Sequence, residues 1–419
     1  MSLDPLPTGW TFVPLGELRA PGDHKFVGGP FGSDLTTADY VSGPGVPVIR
    51  GTNLGGKESR FVDEGFVFVT EQKAEELVRN SAYPGDVIFT QRGTLGQIGI
   101  IPKDSRFERY VISQSQMRLT PDASRVDSRY LYYYFRAPMT LDCLLSRALS
   151  TGVPHINLGI LRDFPVMLPP IAQQQRIAAI LDKADALRAK RRAALAQLDA
   201  LTQSIFLEMF GDAQGNSKDW PVCRVSEYVA EFQGGKSLES EGDQVAPVRN
   251  RVLKISAVTG MRFAPRESKP VPDTYTPPIE HFVRHGDLLF SRANTTELVG
   301  AVAYVRETPG NLLLPDKLWR FVWRDPASVE PIFVWALFQT PAIRREIERR
   351  ATGTSGSMKN ISQEKLFGIS TILPPVSIQR EFAARLASVD RVRVDQAMSS
   401  NRLDTLFASL QHRAFRGEL

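Results

Sequence analysis

The chain repeats itself. The tripeptide Leu168-Pro169-Pro170 returns as Leu373-Pro374-Pro375, 205 residues further on, and the offset then holds without a gap for over forty residues. Gln174 falls on Gln379, Ala178-Ala179 on Ala383-Ala384, Leu181 on Leu386, Asp185 on Asp390, Leu198-Asp199 on Leu403-Asp404, Leu201 on Leu406, Ser204 on Ser409 and Phe210 on Phe415. Two unrelated amphipathic helices would share apolar spacing, but not these glutamine, aspartate and serine positions. Upstream the echo is weaker but collinear. Gly85-Asp86-Val87-Ile88-Phe89-Thr90 answers to Gly286-Asp287-Leu288-Leu289-Phe290-Ser291, Trp10 to Trp220, and Thr151-Gly152 to Thr352-Gly353. A period near 200 residues is a duplicated domain, not a solenoid, so the order is module, long helix, module, long helix.

The segment after Pro170 has no proline or glycine until Gly211 and is rich in alanine, leucine, glutamine, lysine and arginine, all strong helix formers. A seven-residue count puts Ile177, Ala184, Arg191, Leu198 and Ile205 in one register and Ile180, Leu187, Ala194 and Leu201 in its partner, a coiled-coil stripe. The second copy, Val376 to Phe415, offers Phe382, Val389, Leu403 and Leu410, with Gln396 at the place of Arg191. Each helix of ~40 residues reaches about 60 Å, and its single apolar stripe must be buried, most simply against its duplicate in antiparallel pairing. The prolines sit at helix starts, which suits their fixed φ. The modules mix short β-branched runs such as Val46-Pro47-Val48-Ile49 with helical pieces at Tyr130 to Leu149 and Pro331 to Arg350. The expected fold is therefore α+β: two pseudo-twofold-related mixed α/β domains separated by a pair of long antiparallel coiled-coil helices. The expected divisions are module 1 at 1–167, helix 168–211, module 2 at 212–372 and helix 373–419. The cluster Gly28-Gly29-Pro30-Phe31-Gly32 lacks the strand–loop–helix context of a phosphate cradle.

A length of 419 residues with 42% hydrophobic and 23% charged residues suits two or three globular domains. A net charge of +5 permits a nucleic-acid partner without requiring one. Two distant cysteines, Cys143 and Cys223, exclude a disulfide framework or zinc ribbon and fit a reducing compartment. No signal peptide is read at the N-terminus and no apolar run of ~18 residues occurs, so the expected setting is the cytoplasm, with no membrane partner. His281 and His285 are spaced like metal ligands but have no third partner, so no metal site is expected.

Several stretches together resemble the specificity subunits of type I restriction–modification systems. They are Gly29-Pro30-Phe31-Gly32-Ser33, Tyr40, Val46 to Gly51, Gly85 to Phe89 with Arg92-Gly93-Thr94, and both Leu-Pro-Pro-[Ile/Val]-x-x-Gln helix starts. The resemblance covers essentially the whole chain. It implies two target-recognition domains, each reading one half of a split, asymmetric site on double-stranded DNA. It also implies paired helices that set the gap and dock two methyltransferase subunits, with motor-nuclease subunits joining them. No catalytic residue and no cofactor is then expected on this chain. S-adenosylmethionine, ATP and magnesium would belong to the partners. Two readers at the ends of a rod also fit half-sites about one helical turn, ~34 Å, apart.

Candidate DNA contacts follow from residue type. Arginine reads guanine, and asparagine or glutamine reads adenine, by paired hydrogen bonds in the major groove. Arg92 and Thr94 sit in a glycine-bearing turn after a strand, and Arg292, Asn294 and Thr295 in the equivalent turn, with Arg292 aligned to Gln91. Arg50 and Asn53 follow another strand, as does Lys254. Gln114 and Gln116, alternating with serines, are expected on one strand face. Lys317 and Arg320 form a comparable strand, and the loops Thr151 to Asn157 and Thr352 to Asn360 offer His155, Asn157, Lys359 and Asn360. Most such contacts are expected at phosphates. Lys190-Arg191-Arg192 and the arginines 344, 345, 349 and 350 read as solvated helix faces. Other functional classes fit less well. A self-contained methyltransferase needs an Asn/Asp-Pro-Pro-aromatic loop, which is missing. A metal-dependent nuclease needs an acid and an acid-x-lysine pair; Glu71-Gln72-Lys73 has that form, but it lies in a polar helical run and has no duplicate in the second module. A coiled-coil scaffold without nucleic acid leaves the two modules unexplained.

Overall fold

The computed structural model describes residues 6–55, 59–149, 154–212, 215–237, 249–272, 274–353 and 358–419. The chain forms two compact units, one of residues 1–193 with 397–419 and one of residues 194–396. Each unit therefore holds one module and parts of both long helices.

The duplication extends to strand order. In the first unit an antiparallel sheet runs Phe26–Gly28, Gln116–Leu119, Val87–Thr90, Ile98–Ile100. In the second it runs Val229–Gly234, Leu318–Trp323, Leu288–Ser291, Val302–Tyr304, the same order of equivalent strands. Beside it, each unit has a second sheet built on a parallel pair: Val46–Ile49 with Tyr110–Ile112 in the first, Arg251–Leu253 with Leu312–Leu313 in the second. A short ribbon, Thr11–Pro14 with Pro165–Leu168 or Val222–Arg224 with Ser370–Ile372, ties the start of each module to the segment before its helix.

The repeated Gly-Asp dipeptide has a structural cause. Gly85 and Gly286 take φ of 95° and 88°, where a Cβ is disfavoured. The following carboxylates accept from the Tyr83 N–H at 2.9 Å and the Arg284 N–H at 2.7 Å, closing the turn. Each then meets an arginine of the central sheet, Asp86 with Arg118 at 3.4 Å and Asp287 with Arg320 at 2.7 Å. Burial pushes both carboxyls above their ordinary range while the arginines pull the other way. Arg320, expected as a DNA contact, is thus 8% exposed and further held by Gln233 Oε1 and the Glu280 carbonyl. An alternating run that places a cation on the sheet's buried face reads from sequence like a polar surface strand.

Each helical piece expected after the sheet is two helices. Ser128–Arg136 and Pro138–Leu145 follow one another, as do Pro331–Leu337 and Pro341–Arg350. Pro138 and Pro341 lack the N–H that an unbroken helix would use, and each opens the next helix instead. Tyr130 to Phe135 are all buried, as are Ile332 to Leu337.

The long helices run Ile171–Phe210 and Val376–Ala414. The glutamine common to both starts is fully buried. Gln174 donates to the Pro169 carbonyl at 2.8 Å and accepts from the Asp127 N–H at 3.0 Å. Gln379 does the same with Pro374 at 2.7 Å and Glu330 at 2.9 Å. Within the first unit, the start of one helix meets the end of the other. Ile177 and Leu181 share a core with Phe407, Leu410, Ala414 and Phe415, and Arg188 Nε donates to Asp404 Oδ1 at 2.6 Å. In the second unit, Phe206 and Phe210 lie 5.7 and 5.3 Å from the Phe382 ring. Both sets of contacts make the pairing antiparallel.

The seam keeps one of the two expected registers in the first helix and shifts the other. Ile177 is buried and Leu198 and Ile205 are half-buried, but Leu187 and Leu201 stand 54% and 42% exposed, and Ile180 is only half-buried. Leu181, Arg188, Leu195 and Thr202, one position later, take the inner places. Apolar residues at i+3 and i+4 both satisfy a heptad, and the partner helix decides between them. Arg188 is tolerated inside because it pairs with Asp185 and Asp404 and lies 4.3 Å over the Phe407 ring. In the second helix Phe382 is buried and Val389, Leu403 and Leu410 are half-buried. No helix among the described residues is long and apolar enough to cross a membrane.

Candidate nucleic-acid interface

Three strand ends converge in the first unit. The parallel pairing of Val46–Ile49 with Tyr110–Ile112 brings Arg50 beside Ser113, whose N–H donates to the Ile49 carbonyl at 3.0 Å. The antiparallel pairing of Val87–Thr90 with Gln116–Leu119 then brings Gln91 onto Ser115 at 2.7 Å. A fourth segment joins them, because Arg92 bridges to His155 along the backbone and the Ile156 N–H donates to the Gln91 carbonyl at 3.0 Å. The result is an open cleft of about 430 Å³ lined by Arg50, Thr52, Thr90, Arg92, Thr94, Gln97 and Gln116 among others, with no carboxylate among the described residues of its wall. Arg92 and Thr94 are exposed, and Gly93 between them adopts φ 96°. Arg50 reaches the Gly65 carbonyl at 3.4 Å, while its Nε is buried without a hydrogen-bond partner.

Other nominated side chains serve the fold. Asn53 is 1% exposed: its amide donates to the Val62 and Glu64 carbonyls at 3.1 and 3.0 Å and accepts from the Arg50 N–H at 3.0 Å. Gln114 and Gln116 do not share a strand face, because residues 113–115 form a turn and the strand begins at Gln116. Gln116 is fully buried. In the amide orientation its neighbours require, it donates to the Ile49 carbonyl at 3.3 Å and accepts from the Gly51 N–H at 3.2 Å. Gln114 is exposed, but its Nε2 donates to the Gly32 carbonyl at 3.3 Å and to that of Leu35. Asn157 caps the helix Leu158–Arg162 by accepting from the Ile160 N–H at 2.8 Å. The short polar side chain that reads a base edge also satisfies a turn's backbone, and the turn wins here. Residues 151–153 and 354–357 of the two nominated loops lie outside the described residues.

The second unit repeats the arrangement with different chemistry. The Arg292 N–H donates to the Lys317 carbonyl at 3.1 Å and the Ile361 N–H to the Arg292 carbonyl at 3.0 Å, matching the roles of Gln91, Ser115 and Ile156. Ala293–Asn294 pairs with Lys359–Asn360, so Asn294, Lys359 and Asn360 are brought together with Thr295 at their edge. Asn294 Nδ2 is buried without a partner. Lys359 Nζ donates to the Gly353 carbonyl at 2.8 Å. Arg292 is held locally, donating to the Asp316 carbonyl at 2.8 Å and lying 5.5 Å over Trp319. Lys254 is exposed at the end of the strand Arg251–Leu253. In the acid-x-lysine run at Glu71, Lys73 pairs with Glu76 at 3.1 Å and Asp39 at 3.6 Å. Sequence reasoning placed Thr52 in the stretch after the strand but missed Thr90 and Gln97 in the first cleft. Only the strand pairing brings these segments together.

Residues 36–197 match the family described as the type I restriction modification DNA specificity domain. The type I restriction enzyme EcoKI specificity subunit of Escherichia coli K12 is 22% identical over 443 residues, covering 100% of this chain and 91% of that one. The EcoEI specificity subunit of Escherichia coli is 30% identical over 165 residues, 38% of this chain and 27% of its own. Among solved structures, the type I restriction–modification S subunit of M. genitalium has a TM-score of 0.56 at 12% identity, covering 99% of this chain and 98% of that one. Residues 36–197 thus carry the type I restriction modification DNA specificity domain, and over its whole length the chain is similar to the specificity subunits of type I restriction–modification systems.

Proposed function

We propose that the chain reads a two-part, asymmetric site on double-stranded DNA, one half per module, and carries out no chemistry itself. The observation that supports this most is the first unit's cleft, which gathers two arginines and several hydroxyl and amide groups and, among its described residues, no acid. Such a wall suits phosphate oxygens and acceptor-rich base edges. The equivalent place in the second unit presents Asn294, Lys359 and Asn360 instead, so the two halves of the site differ in sequence. In this reading S-adenosylmethionine, ATP and magnesium act on methyltransferase and motor-nuclease subunits.

DNA binding by the chain with its methyltransferase partner is expected to weaken steeply with salt, since each phosphate neutralised adds about 0.9 to the slope of log affinity against log salt. Fluorescence anisotropy on a duplex carrying the host's methylated site measures this. A flat response between low and physiological salt would count against the reading. Arg92→Ala is expected to cost about 1–3 kcal/mol on that duplex.

The outward faces of the long helices suit the docking of two like partners. Leu187 (54% exposed) and Leu406 (51%) lie in the first unit, and their repeat equivalents Val392 (48%) and Leu201 (42%) in the second. Each unit thus carries the same exposed apolar pair, one residue from each helix. The repetition of this exposed pair at equivalent places in both units is what supports reading it as a contact surface. Leu187→Asp with Leu406→Asp is expected to reduce methyltransferase binding at least tenfold at unchanged thermal stability, as copurification and calorimetry would show. Undiminished assembly by this variant would remove the helix faces from the docking surface.

A further inference from the structure

Of the large apolar side chains described, Phe31 is the most exposed, at 82%. It does not hang on a slack loop. Pro30 before it is buried, and Leu35 beyond it is 1% exposed, so only residues 31–34 project. A Cβ at Gly29 would overlap the Ser113 carbonyl oxygen, and the Gly29 N–H donates to the Gln116 carbonyl at 2.7 Å. Asn80 Nδ2 holds the Gly28 carbonyl at 2.8 Å, Gln114 holds Gly32 and Leu35, and the Asp34 N–H returns to the Phe31 carbonyl at 2.9 Å. The turn 113–116 that anchors this loop also supplies Ser115 and Gln116 to the cleft wall. Phe31 therefore projects its ring into solvent from a loop anchored on the turn that lines the cleft, and no contact among the described residues accounts for that placement.

We propose that Phe31 is a base-stacking residue of the first reader, placing its ring against a base step of the first half-site. The proposal rests on the reading of the cleft as a DNA surface. An exposed ring held in advance loses little freedom on stacking, and aromatic or aliphatic wedges are a common means of opening a step beside polar contacts. The device is confined to one module. The second unit keeps the anchor, with the Gly235 N–H on the Pro315 carbonyl at 3.0 Å, but Lys236 and Ser237 stand where Pro30 and Phe31 do. Lys236 lies 5.8 Å over Tyr275, and Ser237 donates to Asp316.

The test uses the full chain with its methyltransferase partner and a duplex bearing both half-sites, with 2-aminopurine stepped through the adenines of each half. Binding is expected to raise fluorescence at a step in the first half-site. Phe31→Ala is expected to remove that rise and weaken binding about ten- to a hundredfold, as loss of one stacked base does. Phe31→Trp should keep both, and thermal unfolding should be unchanged. Arg92→Ala serves as the comparator. If Arg92→Ala weakens binding and Phe31→Ala does not, the stacking role is overturned and the cleft reading stands. If neither variant changes DNA binding, both fall. If Phe31→Ala instead lowers methyltransferase assembly at unchanged DNA affinity, the ring belongs to a protein contact and the proposal fails.

Discussion

Replacing Asp287 with alanine is expected to cost the second unit about 3–5 kcal/mol, the loss typical when one partner of a buried ion pair is removed. Arg320 would keep its charge at 9% side-chain exposure with only carbonyls and Gln233 to meet it. The turn would also lose the acceptor of the Arg284 N–H. In a unit of about 200 residues, that deficit lowers the midpoint of unfolding by about 10 °C. Tryptophan fluorescence reports it well, since Trp220, Trp319, Trp323 and Trp335 lie in the second unit and only Trp10 in the first. The reverse variant, Arg320→Ala, adds a signature in pH. Burial already holds the Asp287 carboxyl above its ordinary range, and without the arginine it should rise further. A carboxyl raised in the folded state favours folding at low pH, and that advantage fades as pH climbs through the raised value. The Arg320→Ala deficit should therefore be larger at pH 8 than at pH 5. A deficit that grew toward acid would show that the pair is not what holds the turn.

Phe382→Ala should be of similar size. The ring is fully buried and meets Phe206 at 5.7 Å and Phe210 at 5.3 Å, while Phe210 packs on Phe333 at 4.8 Å. Truncating a phenylalanine so placed costs about 3–5 kcal/mol. Because the cluster joins both long helices to the module, the loss should appear as one cooperative shift of the tryptophan transition. Leu187→Ala, on the outer face, should leave that transition within about 0.5 kcal/mol. A Phe382→Ala protein that unfolds at the parent's midpoint would mean that the helices do not depend on each other at this end.

The repeat, the two long helices and the character of the modules were legible because each leaves a linear trace: polar identities at a fixed offset, forty residues free of breakers, prolines at helix starts. What stayed hidden is decided by groups distant in the chain. Ile180 and Leu187 fit a heptad as well as Leu181 and Arg188, their neighbours one residue on, and only the partner helix set the second pair inside. Arg118 and Arg320 look like surface cations until Asp86 and Asp287 are seen across the sheet. Asn53, Gln116 and Asn157 have the right groups to read a base and use them on backbone, while Arg92, of the same apparent promise, is left facing outward. At the site, the turn carrying Arg92 and Thr94 could be picked out by residue type, but not the strand ends that bring Thr90 and Gln97 to it.

Residues 397–419 belong to the first unit, about two hundred positions from the module they complete. On a ribosome this reverses the order in which the two readers become whole. The stretch 194–396 emerges as one continuous length, whereas Ile177 and Leu181 must wait for Phe407, Leu410, Ala414 and Phe415. At elongation rates of ~5–20 residues per second, that delay is about ten to forty seconds. The nascent first reader spends it with an uncovered apolar strip, open to chaperones or to a neighbouring copy, and a lesion in the last helical turns would strike the reader made first.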